Sequence, residues 1–399
     1  MSGQALSMRP MAYSLPSYSL TGDLMGFLRC GLQYRYTRIG RLPPSKPVQL
    51  WFGEFIHGVL EESFRRYKDT VLAGTAKPPP WTTADVQEIC DLIKTRLAAR
   101  GLRPWDKDLE VLGDLRAATA IQDLGPHLFP LIHKAEVRLH GARMLPAIDP
   151  KLQFRVADRY EMVGVVDVVT HIELSDPALA NNLIVKHLKA NLGPNLPKKF
   201  EIIIDYKGMR RPGNFAMGAG SLWEQYAWQI QTYAELRRKQ ADALPVVAGV
   251  LLYVNELSPT SGDLSELKKE AKAGMTDVAP ASGSVEGTLL SAWTPGKPTP
   301  DLPFEFRLRR AFRIVQVNKT SVETALLNFD EVVKRIETCR GREVFGDGVL
   351  KSWERNPAEE QTCVVCDSRT FCPDYQTKYA SRHGSQPKIP GIRIKPVVP

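Results

Sequence analysis

The sequence predicts an α/β fold in which a central mixed β-sheet is flanked by helices. Three features carry that prediction. Phe52, Ile56, Leu60 and Phe64 recur every fourth residue, the stripe of a helix with one buried face. Val165-Val166 and Val168-Val169 around Asp167, and Ile202-Ile203-Ile204 before Asp205, are β-branched runs of the kind found near a sheet centre. A helical stretch over 221–240 lies between the apolar runs 201–207 and 246–254, the strand–helix–strand unit that lays two strands parallel.

The elements follow in order. Residues 1–16 are expected to be loosely ordered. Ser19 is placed to cap a helix from Leu20 to Tyr36 with Cys30 inside it. A second helix covers Trp51 to Tyr67, and the proline run at 78–80 breaks the chain. A third helix follows Thr83 with Val86, Cys90, Ile93 and Leu97 on one face, and Gly101 ends it. Residues 102–133 read as largely helical. Strands are expected at Glu136–His140, Leu152–Ala157 and Met162–Ile172, then at Glu201–Lys207 and Val246–Val254. The polar stretch 174–200 is expected to form a hairpin. Residues 257–304, with six prolines, read as a long mobile insertion, and 304–316 as extended chain. A helix from Ser321 to Arg340 turns Val322, Leu326, Phe329, Val333 and Ile336 inward. Residues 379–399, with four prolines and scattered basic residues, read as a tail.

Composition limits the function classes. With 399 residues, 43% apolar and 24% charged, the chain has the balance of an ordinary globular protein of two or three domains, or of one core with large insertions. Lys and Arg number 53 against 44 Asp and Glu, a net charge of +9 that suits a polyanionic partner. No basic segment followed by a long apolar stretch opens the sequence, so no signal peptide is expected. The longest uncharged apolar run, Ala243–Asn255, has 13 residues, too few to span a bilayer. A cytoplasmic protein with no membrane partner is the expectation. Six cysteines are too few for a disulfide scaffold and, where clustered, read as metal ligands.

The chemistry gathers at strand ends. Asp167 stands in the middle of a valine-rich strand, costly without a partner. Asp205 and Lys207 end the isoleucine strand, and the period of two puts them on one face. Such a carboxylate suits a hard divalent cation, and such an ammonium suits charge developing on a phosphate. Asp205 with Lys207 alone also fits a structural salt bridge, and Asp167 alone a turn-facing or capped aspartate. His57 and Glu61 share a helix face, where imidazole is a natural added ligand for Mn²⁺ or Mg²⁺, while Glu61 also has Arg65 within reach. Gln229 and Tyr233, four apart, point to the same end of the sheet as Lys207. Cys363, Cys366 and Cys372 form a tight trio that needs a fourth ligand, and Cys30 is the best placed. On spacing alone, zinc and an iron–sulfur cluster fit equally. Cys90 and Cys339 continue apolar helix faces and read as core thiols.

In order, the chain carries a lone Cys30, Gly53-x-x-x-His57, Gly164-x-x-Asp167, Asp205-x-Lys207, Gln229-x-x-x-Tyr233 and Cys363-x2-Cys366-x5-Cys372. This order resembles the PD-(D/E)XK nucleases of the RecB/AddB type, and most closely the branch with a [4Fe–4S] cluster that includes the CRISPR-adaptation exonucleases. The likeness covers residues 17–68, 135–255 and 321–375. It implies a restriction-endonuclease-like core in a single nuclease domain over 17–378. Insertions at 70–133 and 257–304, and the tail, lie outside the likeness. It also implies His57, Asp167, Asp205 and the carbonyl of Tyr206 as ligands of Mg²⁺ or Mn²⁺, Lys207 as the catalytic lysine, and Gln229 and Tyr233 as supports of the site and of DNA. Cys30, Cys363, Cys366 and Cys372 would hold the [4Fe–4S] cluster, with Zn²⁺ the alternative. The cluster would staple chain ends 332 residues apart.

The activity implied is metal-assisted hydrolysis of DNA, by an exonuclease leaving 5′-phosphate and 3′-hydroxyl ends, in repair, recombination or defence. Basic segments offer a path for the DNA. Residues 186–212 carry seven Lys or Arg against two acids, and 303–320 carry five against one. Expected partners are DNA with a free end or a single strand, and a helicase or CRISPR-adaptation proteins, since no Walker A pattern occurs in the sequence. Two other classes remain open: a non-catalytic DNA-binding or scaffold subunit, and a zinc-stabilised nucleic-acid-binding protein. The intact catalytic set separates the first from a nuclease, and colour separates the second.

Overall fold

The structure, a computed structural model, describes residues 15–43, 45, 50–74, 79, 81–213 and 222–383. The expectations for most of 1–16, for Pro78 and Pro80, and for the tail beyond 383 lie outside the described residues. Strands are β1 (Ser17–Ser19), β2 (Ile132–Met144), β3 (Arg159–Thr170), β4 (Ile172–Glu173), β5 (Lys199–Lys207), β6 (Val246–Tyr253) and β7 (Phe312–Gln316). The helices of eight residues or more are α1 (Leu50–Leu72), α2 (Thr83–Ala99), α3 (Lys107–Thr119), α4 (Leu183–Leu192), α5 (Leu222–Arg238), α6 (Ser261–Lys272), α7 (Val285–Ala292), α8 (Phe304–Ala311) and α9 (Lys319–Val344). The described residues fall into two compact units. One is drawn from Met1–Lys46, Ala142–Val163 and Leu326–Pro399, the other from Pro47–Gly141 and Gly164–Ala325.

The second unit is built on β5. Six consecutive side chains from Phe200 to Asp205 are almost fully buried, because β5 has neighbours on both sides. It runs antiparallel to β3, with Val168 opposite Ile204, and parallel to β6, with Ile204 opposite Val250. The β6 partner on the far side, β7, is antiparallel. The sheet is therefore mixed, as expected, and α5 is the crossover between its parallel strands. Helix α1 lays Trp51, Phe52, Phe55, Ile56, Val59 and Leu60 into the core, and α2 adds Val86, Ile89, Cys90, Ile93 and Leu97. A capping box starts α2: Thr82 Oγ1 accepts from Asp85 N (3.2 Å) and Asp85 accepts from Thr82 N (3.1 Å).

Two contacts lock α5 to the sheet. Arg237 makes a bidentate bond to Glu201 of β5, both N···O distances being 2.7 Å and both side chains buried. The glycines of the neighbouring strands let the helix lie close. A Cβ on Gly249 would come 2.2 Å from Ile230 Cγ2, and one on Gly164 would come 2.6 Å from the Tyr233 ring. Gly249→Ala is expected to cost about 1–3 kcal/mol by overpacking, read as a lower urea midpoint at unchanged m-value.

Several expectations are corrected here. The stretch 174–200 is not a simple hairpin, since it holds α4. Asn182 Oδ1 caps that helix by accepting from Ile184 N (3.0 Å) and Val185 N (3.2 Å), and Ile184, Val185 and Leu188 turn inward. Residues 257–304 are structured, because their prolines flank helices rather than prevent them. Helices α6 and α7 share an apolar cluster of Leu264, Leu267, Leu290, Trp293, Leu302 and Phe306. Residues 304–311 are helical before β7 begins.

In the first unit, β1 pairs in parallel with Glu161–Val163 of β3. Glu337 on α9 takes hydrogen bonds from Tyr18 Oη and from Arg155 Nε (2.6 Å). The expected strand 152–157 is absent; a 3₁₀ turn (Pro150–Leu152) leads into irregular chain. The expected helix 20–36 is interrupted. Cys30 is extended, with φ −165° and ψ 112°, between short helices Met25–Arg29 and Gly31–Tyr34. The cause is tertiary: Leu32 N donates to Glu354 O (2.9 Å), and a Cβ on Gly31 would meet that same oxygen at 2.9 Å. Ser19 caps nothing with its side chain; instead its Oγ and N donate to Asp23 (2.6 and 2.8 Å).

Candidate active site

The carboxyl end of β5 carries Asp205, Tyr206 and Lys207, and strand alternation turns Asp205 and Lys207 to one side. There the Lys207 ammonium pairs with Asp205 Oδ2. Gln229 of α5 bridges the pair, its Oε1 accepting from Lys207 Nζ (3.3 Å) and its Nε2 donating to Asp205 Oδ1 (3.0 Å). Tyr233 Oη lies 3.5 Å from Gln229 Nε2, one turn further along the helix. The ammonium also stands 4.1 Å above the Tyr226 ring, a cation–π contact that the sequence did not single out. Gln229 thus reads both charges at once, and its amide has only one useful orientation.

The backbone of Tyr206 ties β5 to its neighbours. Its N–H donates to Asp167 Oδ2 of β3 (2.7 Å), and its carbonyl oxygen lies 3.0 Å from His57 Nε2 of α1. His57 Nδ1 is 3.5 Å from Asp167 Oδ2. Glu136 of β2 completes the group: its carboxylate, the imidazole and the Asp167 carboxylate each offer a donor atom within 4.8 Å of the others. Among the described residues no other three His, Cys, Asp or Glu side chains meet that condition.

Glu136 did not stand out in the sequence. Its backbone has φ +49°, a left-handed conformation that costs a non-glycine residue roughly 1 kcal/mol or more. That conformation breaks the alternation of β2, so periodicity carries no signal for it. Partial desolvation pushes its carboxyl up to about 7, with the Asp167 and Glu61 carboxylates adding to the rise. Burial likewise holds the Asp167 carboxyl well above the usual range, and the Asp205 carboxylate raises it further, against the Tyr206 N–H and Lys207. Carboxylates crowded in this way fit a divalent cation, whose charge relieves their repulsion. The donor set of one imidazole, carboxylates and a carbonyl oxygen suits Mn²⁺ or Mg²⁺.

The structure therefore brings together His57, Asp167 and the Tyr206 carbonyl, with Asp205, Lys207, Gln229 and Tyr233 directly beside them. A cavity of about 600 Å³ opens over the group, and His57, Glu61, Glu136, Val165 and Asp167 line it. Arg65 pairs with the buried Glu62 (2.5 Å) and not with Glu61.

The four cysteines lie in the first unit. Cys30 sits at the helix break, Cys363 in a short helix (Glu360–Val364), Cys366 in the turn after it, and Cys372 at the start of Pro373–Lys378. All four are free and half-buried. Desolvation raises the Cys363 and Cys366 thiols, and both also feel the sulfurs of Cys30 and Cys372. The C-terminal trio and the lone N-terminal cysteine thus share one neighbourhood. Cys90 and Cys339 are buried, and desolvation with the Asp114 carboxylate pushes Cys90 up to about 12.

Residues 22–175 match a family model described as the PD-(D/E)XK nuclease superfamily. The matched region includes Cys30, His57, Glu136 and Asp167 and ends before β5. No curated protein matches the chain. No helix among the described residues is long and apolar enough to cross a membrane.

Proposed function

We propose that this chain is a divalent-metal-dependent deoxyribonuclease that works from strand ends, in repair, recombination or defence of DNA. The observation that carries the reading is the convergence of His57, Glu136, Asp167 and the Tyr206 carbonyl beside an Asp205–Lys207 pair held by Gln229. A bound Mg²⁺ or Mn²⁺ supplies Lewis acidity and a water acidic enough to attack phosphorus. His57, Asp167 and the Tyr206 carbonyl would hold it, with Glu136 and Asp205 as further oxygen donors. Lys207 presents its ammonium to the phosphate oxygens and steadies the charge that builds on them. Gln229 keeps that ammonium in register, and Tyr233 backs Gln229. Phosphate stays on the 5′ end and the 3′ end leaves as hydroxyl. Cys30, Cys363, Cys366 and Cys372 are assigned to a [4Fe–4S] cluster with a structural role. A helicase or CRISPR-adaptation proteins are the partners this activity calls for, since strand opening must come from elsewhere.

The test uses anaerobically purified protein with end-labelled single- and double-stranded DNA and Mn²⁺, Mg²⁺ or EDTA. Cleavage with either metal and none with EDTA is expected. DNA binding without cleavage under every metal would replace the nuclease with the scaffold reading. Glu136→Gln is expected to weaken Mn²⁺ binding on the order of tenfold, by calorimetric titration, because one charged oxygen donor is lost.

A further inference from the structure

The cavity over the metal-ligating group has a second wall, and it is basic. Helix α2 carries none of the motifs quoted from the sequence, though it lies within the matched residues 22–175, and it brings Arg96 and, at its C-terminal cap, Arg100 to the cavity lining. The two are four residues apart and so face the same way. Each is tied to α1: Arg96 Nη1 lies 3.2 Å from Glu62 Oε2, and Arg100 Nη1 lies 3.0 Å from Glu54 Oε2. Despite those ties their side chains are 52% and 60% exposed. Glu62 is shared, since Arg65 and Arg66 also bond it, and Arg66 reaches Glu88 as well (2.9 Å).

Charge balance gives this wall a task. The lining carries four carboxylates, Glu54, Glu61, Glu136 and Asp167, against these two guanidiniums. With one divalent cation and no arginines, a net charge of −2 would face an incoming phosphodiester. Counted over the lining residues alone, the two arginines and one divalent cation balance the four carboxylates. The volume of about 600 Å³ is that of a small-ligand pocket.

We propose that Arg96 and Arg100 form a phosphate clamp for the backbone of the strand that enters this cavity, a binding subsite supplied by α2. The proposal rests on the nuclease reading for the identity of the strand. Guanidinium groups suit the task because their planar fork of N–H donors matches the oxygens of a phosphate.

The experiment measures binding, not cleavage. A short fluorescein-labelled oligothymidylate is titrated by anisotropy in EDTA and in Ca²⁺, between about 50 and 200 mM salt. The proteins are wild type, the Arg96→Gln/Arg100→Gln double variant, Arg96→Lys/Arg100→Lys, and Lys297→Gln as an exposed control charge on the same unit. The Gln pair is expected to bind about tenfold more weakly. Its plot of log affinity against log salt should be shallower by roughly 1.4, two phosphate contacts at about 0.7 each on a single strand. The Lys pair should keep the wild-type slope, and Lys297→Gln should keep both slope and affinity. An unchanged slope in the Gln pair overturns the clamp, as does an equal change in the Lys297 control. So does a wild type that binds no oligonucleotide. Wild type that binds with the expected slope and never cleaves removes the nuclease and leaves the clamp standing. Cleavage with an unchanged slope in the Gln pair does the reverse.

Discussion

Lys207→Met and Asp205→Asn are each expected to lower single-turnover DNA cleavage by about 10³-fold, since each removes a charge aimed at the reacting phosphate or its cation. The two losses differ in kind. Met keeps the volume of the lysine stem and its packing on Tyr226 while deleting the ammonium. The ligand group of His57, Glu136 and Asp167 is untouched, so Mn²⁺ binding should persist in Lys207→Met. Asn at position 205 keeps the acceptor for Gln229 Nε2 but leaves the Lys207 ammonium without its counter-ion. Asp167 would feel one carboxylate fewer, so less crowding remains for a cation to relieve, and Mn²⁺ affinity should fall with the rate. Because both side chains belong to one bridged unit, the double variant should be little slower than either single one. Circular dichroism and an unfolding midpoint near wild type would show that both variants fold. A Lys207→Met protein that cleaves at the wild-type rate would end the assignment of lysine to the chemistry.

The chemical half of the site was legible because it lies on regular structure. Asp205 and Lys207 follow three isoleucines on one strand, so alternation alone put them together. Gln229 and Tyr233 fall one helical turn apart on the next helix, and the βαβ connection returns that helix to the end of the same strand. His57 stands on an amphipathic helix whose apolar stripe fixes its direction. What escaped was irregular or tertiary. Glu136 reaches the ligand group only through a positive φ within a strand, which no periodicity encodes. The break at Cys30 depends on the carbonyl of Glu354, more than three hundred residues away. Polarity misled at 174–200 and 257–304, where α4, α6 and α7 expose most of their polar residues and bury a few leucines, isoleucines, valines and one tryptophan. Proline in 257–304 marks helix ends, whereas composition alone predicts a long mobile insertion there. Arginines 96 and 100 sit on the outer face of α2, where a charged residue carries no signal until the opposite wall of the cavity is known.

The second large effect concerns the cysteines. Under the proposed cluster assignment, wild type purified without oxygen is expected to be brown, and Cys30→Ala and Cys363→Ser are each expected to abolish that colour and to lower the thermal midpoint, with a stability loss on the order of several kcal/mol. Metal ligation needs thiolates, and the Cys363 and Cys366 thiols are held above their ordinary range by burial and by neighbouring sulfurs. A bound cluster would offset the desolvation that opposes ionisation of these half-buried thiols. A group that binds the folded chain alone adds its binding free energy to folding, so losing one ligand removes both the chromophore and that contribution. The controls come from the same chain. Cys90→Ala and Cys339→Ala remove buried thiols, at about 1 kcal/mol each for lost packing, and should leave the colour unchanged. Iron and zinc contents then separate the remaining outcomes. A colourless wild type with one equivalent of zinc would keep the four ligands and change the metal, because tetrathiolate zinc absorbs no visible light. Wild type with neither metal, and a midpoint that Cys363→Ser does not move, would remove the ligand role from all four cysteines and leave the first unit to stand on Tyr18, Arg155 and Glu337.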